Sequence, residues 1–178
     1  EDLLRRAQGV KIALIAFAAD PHMINPLTDD MEAIRHLLPS LYTDLVYVQG
    51  SRLSPAFEMA SHMLASEPGN NKSILVITDG GFEDASTITT ARKLASKSIV
   101  IHTMGIGSTE GAPVKDAKGN FIKQNGALVI SKLEAEKLKE VSKAGGGHYI
   151  KAHYSDRDSR VVLDQLAARA EAEQAKKH

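Results

Sequence analysis

Short, unbroken runs of apolar residues punctuate this chain and alternate with longer stretches in which apolar residues recur every three or four positions. Two runs, Val10 to Ala18 and Ile74 to Ile77, are rich in aliphatic, often β-branched residues. Such runs are typical of strands buried on both faces of a parallel sheet. The pattern as a whole predicts strands over 10–18, 45–48, 73–78, 99–106 and 148–152.

The stretches between these runs have the spacing of amphipathic helices. They predict helices over 29–41, 53–66, 84–97 and 131–144. Thr28 is the expected N-cap of the first, and Pro39 should end or bend it. Ser131-Lys-Leu-Glu134 has the form of a capping box and is expected to open the last of the four.

Strands that alternate with helices specify a doubly wound, mostly parallel α/β sheet of the Rossmann-like type. We expect a single domain over 1–178. Residues 108–130 break the alternation with turn signals such as Asn125-Gly126, which predicts an inserted β-meander. Residues 157–178 are expected to form a C-terminal helix with a frayed tail.

The amino-acid composition argues against several classes of function. Lys plus Arg and Asp plus Glu balance at 22 each, and aromatic residues make up only 4% of 178 residues. Both features argue against a nucleic-acid partner. There is no cysteine, which excludes disulfides and thiolate chemistry. No apolar run approaches the roughly 20 residues of a membrane helix, so the expectation is a soluble domain without a membrane segment.

The candidate chemistry lies where the predicted strands end. Asp79 follows the 73–78 strand and precedes two glycines, and Ser51 opens the 53–66 helix. A parallel sheet places its ligand site at this edge, and oxygen ligands suit a hard cation such as Mg²⁺. The competing interpretation for each residue is ordinary helix capping.

A serine hydrolase is a distant alternative. Ser51 or Ser54, Asp79 and His102 supply the residue types of a catalytic triad. No Gly-x-Ser-x-Gly elbow occurs, however, and His102 lies within a predicted strand. We therefore do not expect these residues to form a catalytic triad.

Taken in order, several segments resemble a von Willebrand factor type A (vWA) domain, with the closest likeness to the bacterial aerotolerance (Bat) subgroup. The likeness runs from about Leu3 to Ala152. It rests on an ordered set of pieces: VKIALIAFA at 10–18, PLTD at 26–29, QGS at 49–51, ILVITDG at 74–80, MGIG at 104–107, EGAP at 110–113 and AGGGHY at 144–149.

The resemblance implies a metal-ion-dependent adhesion site (MIDAS), in which Mg²⁺ or another divalent cation binds an acidic side chain of a protein partner. By position, Ser51 and Asp79 resemble two elements of the metal-binding set. The Asp-x-Ser-x-Ser that supplies the remaining ligands is missing from this chain, so the site is expected to be incomplete.

The family's first strand, which lies at the centre of its sheet, is also missing. The gap would be about 10 Å wide, twice the usual strand spacing. We weigh three explanations: omitted upstream residues, direct pairing of strand 10–18 with strand 73–78, and a homodimer formed through the open edge. Omission is favoured as the origin of the gap, and a rearranged or dimeric sheet for the chain itself.

The resulting expectation is a non-catalytic protein–protein interaction module in a bacterial membrane-associated complex. The resemblance implies a parent protein anchored in the inner membrane, with the periplasmic side favoured. A metal-free structural scaffold is the alternative, because Ser51 and Asp79 alone offer few ligands for Mg²⁺.

Overall fold

The computed structural model describes residues 9–41, 51–116 and 118–152. The strand predicted over 45–48 and the C-terminal helix predicted over 157–178 lie outside these residues.

The described residues form nine strands, four α-helices and one short 3₁₀ turn. The strands are β1 (Ile12–Phe17), β2 (Pro21–Thr28), β3 (Lys72–Thr78), β4 (Ile99–Gly105), β5 (Ala112–Pro113), β6 (Lys123–Gln124), β7 (Ala127–Leu128), β8 (Ile130–Ser131) and β9 (Gly146–Lys151). The helices are α1 (Met31–Leu37), α2 (Ser54–Ala65), α3 (Thr87–Ser96) and α4 (Ala135–Ala144), and the 3₁₀ turn covers Leu38–Ser40.

A parallel sheet of three strands, in the order β3-β4-β9, forms the centre of the described fold. β3 and β4 pair without interruption from Lys72 opposite Ile99 to Thr78 opposite Gly105. β4 has neighbours on both sides and is buried along almost its whole length, which explains its nearly continuous apolar sequence. The predicted α/β class with a parallel sheet is confirmed.

The first apolar run belongs to a separate antiparallel hairpin. β1 pairs with β2 from Ile12 opposite Thr28 to Phe17 opposite Pro21. β2 was not predicted, because it contains two prolines and several polar residues. Proline is tolerated at the start and at the edge of a sheet, and β2 is such an edge among the described strands. Direct pairing of strand 10–18 with strand 73–78 is wrong for these residues, since β1 pairs only with β2 there.

β1 and β3 nevertheless run side by side in the same direction. At their carboxyl ends, Arg52 N donates to Ala18 O at 2.7 Å, and Glu83 N donates to Ser51 O at 3.3 Å. At their amino ends, the Lys11 ammonium lies 3.0 Å from the Glu67 carboxylate. Backbone hydrogen bonds therefore connect the loops at the carboxyl ends of β1 and β3, and an ion pair connects their amino ends. No described strand lies between them.

Three of the described helices, α2, α3 and α4, lie in a row over the strands. α2 packs on β1 and β2, α3 and α4 pack on β4, and α2 contacts α3, which in turn contacts α4. The core between the layers includes the fully buried side chains of Phe57, Phe82, Ile101 and Leu138. Phe17 of β1 packs against the same core, so one hydrophobic core holds the hairpin and the parallel sheet together. No described helix is both long and apolar enough to cross a bilayer.

Two predicted helix starts are wrong. Asp30, not Thr28, is the N-cap of α1, because its carboxylate accepts a hydrogen bond from Ala33 N. Ser131 does not open α4 as part of a capping box. It ends β8, its hydroxyl donates to Asp79 at 2.6 Å, and the helix begins at Ala135.

Candidate functional site

Three loops meet beyond the carboxyl ends of β1 and β3. The loop after β1 is joined to the loop before α2 by the hydrogen bond from Arg52 N to Ala18 O. The loop after β3 is joined to the same segment by the hydrogen bond from Glu83 N to Ser51 O. The structure thus places the Ser51 segment between the other two loops. Two of these loops, those that carry Ser51 and Asp79, are the ones that the sequence predicted to lie at this edge.

Asp79 is held in place by its surroundings. One carboxylate oxygen accepts a hydrogen bond from Gly81 N at 3.0 Å, and the other accepts one from the Ser131 hydroxyl at 2.6 Å. Its backbone carbonyl accepts from Glu134 N at 2.7 Å. The side chain is half-buried. Asp79 therefore joins the end of β3 to the segment that connects the meander with α4.

Gly80 permits this close approach. Its φ is +93°, and a Cβ atom there would lie 2.9 Å from the Glu134 Cβ atom. A side chain at position 80 would strain the backbone and push the segment before α4 away from β3. Gly80 thus has a structural role in the turn that follows Asp79.

Ser51 is half-buried and lies beside Glu83 through the backbone hydrogen bond between them. Its backbone also connects it to the segment that reaches the end of β1. Ser51 and Asp79 therefore stand on adjoining loops at one edge of the fold. Their assignment as metal ligands stays a prediction.

A second cluster of oxygen atoms lies next to these loops, around Asp84. One Asp84 carboxylate oxygen accepts hydrogen bonds from both the backbone N and the hydroxyl of Ser54. The other accepts from the backbone N and the hydroxyl of Ser86, at 3.0 and 2.6 Å. Asp84 therefore binds the beginning of α2 and the beginning of α3 with a single carboxylate.

The hydrogen bonds decide the charge state of Asp84. Burial would raise the pKa of this carboxyl, but the side-chain and backbone donors of Ser54 and Ser86 outweigh it and hold the pKa well below its usual range. Asp84 is thus a carboxylate at any physiological pH. A carboxylate committed to four donors is a structural group that caps two helix starts.

The described side chains do not fit a cation cage made by the protein alone. No group of three or more His, Cys, Asp or Glu among the described residues could hold a metal ion. Both carboxylate oxygens of Asp79 are already engaged with Gly81 and Ser131. Mg²⁺ demands near-octahedral oxygen coordination, and Ser51 with Asp79 supplies only part of such a set.

The residues of the hydrolase alternative have other partners. The Ser54 hydroxyl bonds to Asp84 and lies 2.7 Å from the Ser86 hydroxyl. His102 is buried in β4, where its Nδ1 atom accepts a hydrogen bond from His148 N at 3.3 Å. These contacts stabilise helix starts and the sheet, and they give Ser54 no activating base of the kind a nucleophile needs.

Sequence reasoning missed Ser131 as a member of the site. Its position, three residues before a glutamate, suggested a capping box, and the long-range contact with Asp79 overrides that local pattern. One feature of the sequence hinted that Ser131 lies near Asp79. Ser131 follows the meander, and the meander follows the strand that is adjacent to β3.

Comparison with known proteins agrees with this architecture. Residues 1–82 match the sequence profile of the von Willebrand factor type A domain. A search among curated proteins finds no match to the chain.

Solved structures show the same fold over nearly the whole chain. BatB, a conserved hypothetical protein from Bacteroides thetaiotaomicron, aligns at 24% identity over 95% of this chain and 83% of its own, with a TM-score of 0.89. An aerotolerance-related membrane protein from Bacteroides fragilis aligns at 24% identity over 94% of this chain and 84% of its own, with a TM-score of 0.88.

A more distant likeness is to proximal thread matrix protein 1 from the mussel byssus, solved with a zinc-occupied MIDAS motif. It aligns at 14% identity over 93% of this chain and 37% of its own, with a TM-score of 0.61. The profile match over residues 1–82 shows that this chain resembles a von Willebrand factor type A domain, and its fold is shared with the two Bacteroides proteins.

Proposed function

We propose that this chain is a non-catalytic protein–protein interaction module whose partner contacts the three loops beyond the carboxyl ends of β1 and β3. The observation that supports this most is the placement of Asp79, half-buried and oriented by Gly81 and Ser131, beside the Ser51 loop. Rigidly positioned polar groups on loops at this edge are where α/β sheets bind their ligands.

The likeness to an aerotolerance-related membrane protein supports a wider proposal about the parent protein. We propose that it is anchored in a bacterial inner membrane and presents this domain on the periplasmic side, as part of a membrane-associated complex.

The partner surface can be tested by cross-linking in the full-length parent protein. A photo-cross-linking amino acid at Glu83, next to Ser51, should capture one defined partner, and Asp79→Ala should lower the yield severalfold. The matched control places the same amino acid at Lys97, at the end of α3 and away from the loops. Equal yields from the two positions, or an unchanged yield in Asp79→Ala, would contradict the proposal.

Whether a cation takes part is a separate measurement. Mg²⁺ and Mn²⁺ are titrated by calorimetry into the chain, into Asp79→Ala and into Asp116→Ala, which removes an exposed carboxylate of the meander. Saturable binding that is lost only in Asp79→Ala would mean that other groups complete the ligand set around Asp79 and Ser51.

The second candidate is a metal-free structural scaffold. It is favoured by the hydrogen bonds that already occupy both carboxylate oxygens of Asp79. In that case no variant binds either cation, and Asp79→Ala leaves partner capture unchanged while it lowers the stability of the domain.

A further inference from the structure

The segment predicted as a meander over 108–130 contains a small, closed set of strands, β5 to β8, over residues 112–131, which is called the meander below. The backbone N atoms of Val114, Ile122 and Val129 donate in a ring: Val114 to Val129 O, Val129 to Ile122 O, and Ile122 to Val114 O, each at 2.9 Å. The ring fixes the relative positions of its three chain segments. Almost every described residue of the meander is exposed, so its side chains are free to contact a partner.

The large apolar residues of the meander are unusually exposed. Phe121 is 51% exposed, Leu128 is 44% exposed and Ile130 is 54% exposed. Apolar groups that cluster on a protruding element and that the domain does not cover are typical of a binding surface.

Strand pairing places a lysine directly beside two of these apolar side chains. Lys115 is bridged to Phe121, and its ammonium lies 5.0 Å from the centre of the Phe121 ring. Lys123 is paired with Leu128 in the register of β6 and β7. Directly opposed residues lie on the same face of a strand pair, so each pair presents an apolar group and an ammonium together.

The meander is also basic within a neutral chain. Residues 112–131 contain the three lysines Lys115, Lys118 and Lys123 and one acidic residue, Asp116, which gives a net charge of +2. The whole chain has 22 basic and 22 acidic side chains. None of these three lysines takes part in an ion pair among the described residues, so their charges are available to an external anion.

We propose that the meander binds the surface of an anionic lipid bilayer. Lysine is depleted from the cores of protein–protein interfaces, whereas at a bilayer its aliphatic stem lies along apolar neighbours and its ammonium reaches the headgroups. Phe121, Leu128 and Ile130 then enter the boundary between headgroups and acyl chains, and the lysines bind the anionic headgroups. The inference goes beyond the interaction proposed at Asp79 and does not depend on it.

Vesicle binding tests this proposal directly. The chain is sedimented with vesicles of phosphatidylcholine, with and without phosphatidylglycerol, at low and high salt. We expect binding only to the vesicles that contain phosphatidylglycerol, and weaker binding at high salt because screening reduces the attraction.

Two double variants test the contributions of the lysines and of the apolar residues separately. Lys115→Gln with Lys123→Gln should lower the partition coefficient about 25-fold, since each lysine near an anionic surface contributes about fivefold. Phe121→Ser with Leu128→Ser should lower it about tenfold or more, because less apolar area enters the bilayer. All four positions are exposed, so the thermal midpoint should stay unchanged.

The matched control is Lys93→Gln with Lys97→Gln, which removes two exposed lysines from α3 and should leave vesicle binding at the level of the original chain. The proposal is overturned if the original chain binds neither vesicle, as expected if an acidic protein is the occupant instead. It is also overturned if the control variant loses as much binding as the Lys115 and Lys123 variant.

Discussion

At the scale of single residues, Asp84 connects two helices that are remote in sequence. Its carboxylate accepts hydrogen bonds from Ser54 at the beginning of α2 and from Ser86 at the beginning of α3. Each helix start leaves backbone N–H groups without an intrahelical partner, and one negative charge satisfies donors at both. The same interactions lower the pKa of Asp84.

We expect Asp84→Asn to lower the free energy of unfolding by about 1–2 kcal/mol at neutral pH, the usual cost of a lost cap. A carboxyl whose folded-state pKa is below its unfolded value of about 4 stabilises the fold above that pH, and the stabilisation disappears as the pH falls. The difference between the two proteins should therefore shrink below about pH 4.

Urea unfolding from pH 3 to pH 7 measures this difference. Glu83→Gln, an exposed neighbour, serves as the control and should show no comparable change. If the difference in the free energy of unfolding is as large at pH 3 as at pH 7, the lost charge is not its cause. The amide introduced by Asp84→Asn would then disturb packing.

Gly147 of β9 lies so close to β4 that there is no room for a side chain at this position. A Cβ atom at this position would lie 2.1 Å from Ile101 O, and no left-handed φ is involved. β9 can thus approach β4 only without a side chain there.

We expect Gly147→Ala to lower the free energy of unfolding by about 1–3 kcal/mol or more, as overpacking does. Gly81→Ala is the control, because an added Cβ there would lie no closer than 3.3 Å to its nearest neighbour. Equal loss of stability in the two variants, measured by urea unfolding, would show that the contact with Ile101 is not the cause.

At the scale of elements, one side-chain contact fastens the meander to the sheet. Ser131 ends β8, Asp79 follows β3, and the 2.6 Å hydrogen bond between them spans 52 positions of sequence. Together with the bond from Glu134 N to Asp79 O, it positions both the meander and the beginning of α4.

A double-mutant cycle of Ser131→Ala and Asp79→Ala measures this link. We expect each single substitution to cost about 1–3 kcal/mol, because a hydrogen bond to a charged group is lost, and the pair to cost less than the sum. A coupling energy below about 0.5 kcal/mol would indicate that the two residues act independently.

At the scale of the whole molecule, the described strands outside the meander form a hairpin and a parallel sheet, which share one core but do not pair with each other. β1 and β3 run in the same direction and are joined through Arg52, Glu83 and the Lys11–Glu67 ion pair. Packing on the common core, in which Ile15, Phe17 and Ile74 take part, is what unites the two halves. Among the described residues, β1 and β3 are not paired as neighbouring strands of one sheet.

This arrangement predicts two cooperative units. β4 is paired on both sides and almost entirely buried, so its amides should exchange with solvent only on global unfolding. The amides of β1 and β2 should exchange through unfolding of the hairpin alone, which requires less free energy than global unfolding. Native-state hydrogen exchange at increasing urea measures both, and a single opening free energy for all strands would contradict the prediction.

The sequence by itself determined most of the elements and the fold class. Apolar runs and helical periodicity depend only on neighbouring residues, so β1, β3, β4, β9 and the bodies of the helices were predicted to within a few positions. The resemblance to a vWA domain came instead from the ordered set of sequence segments between 10–18 and 144–149.

Only the tertiary structure decided which edges pair and which polar groups meet. The strand at 21–28, the use of Asp30 as the cap of α1, and the contact of Ser131 with Asp79 all depend on partners brought together by the packing of distant elements. Local pattern carries no information on such partners, because a serine or an aspartate can satisfy its hydrogen bonds equally well at a nearby helix or across the fold.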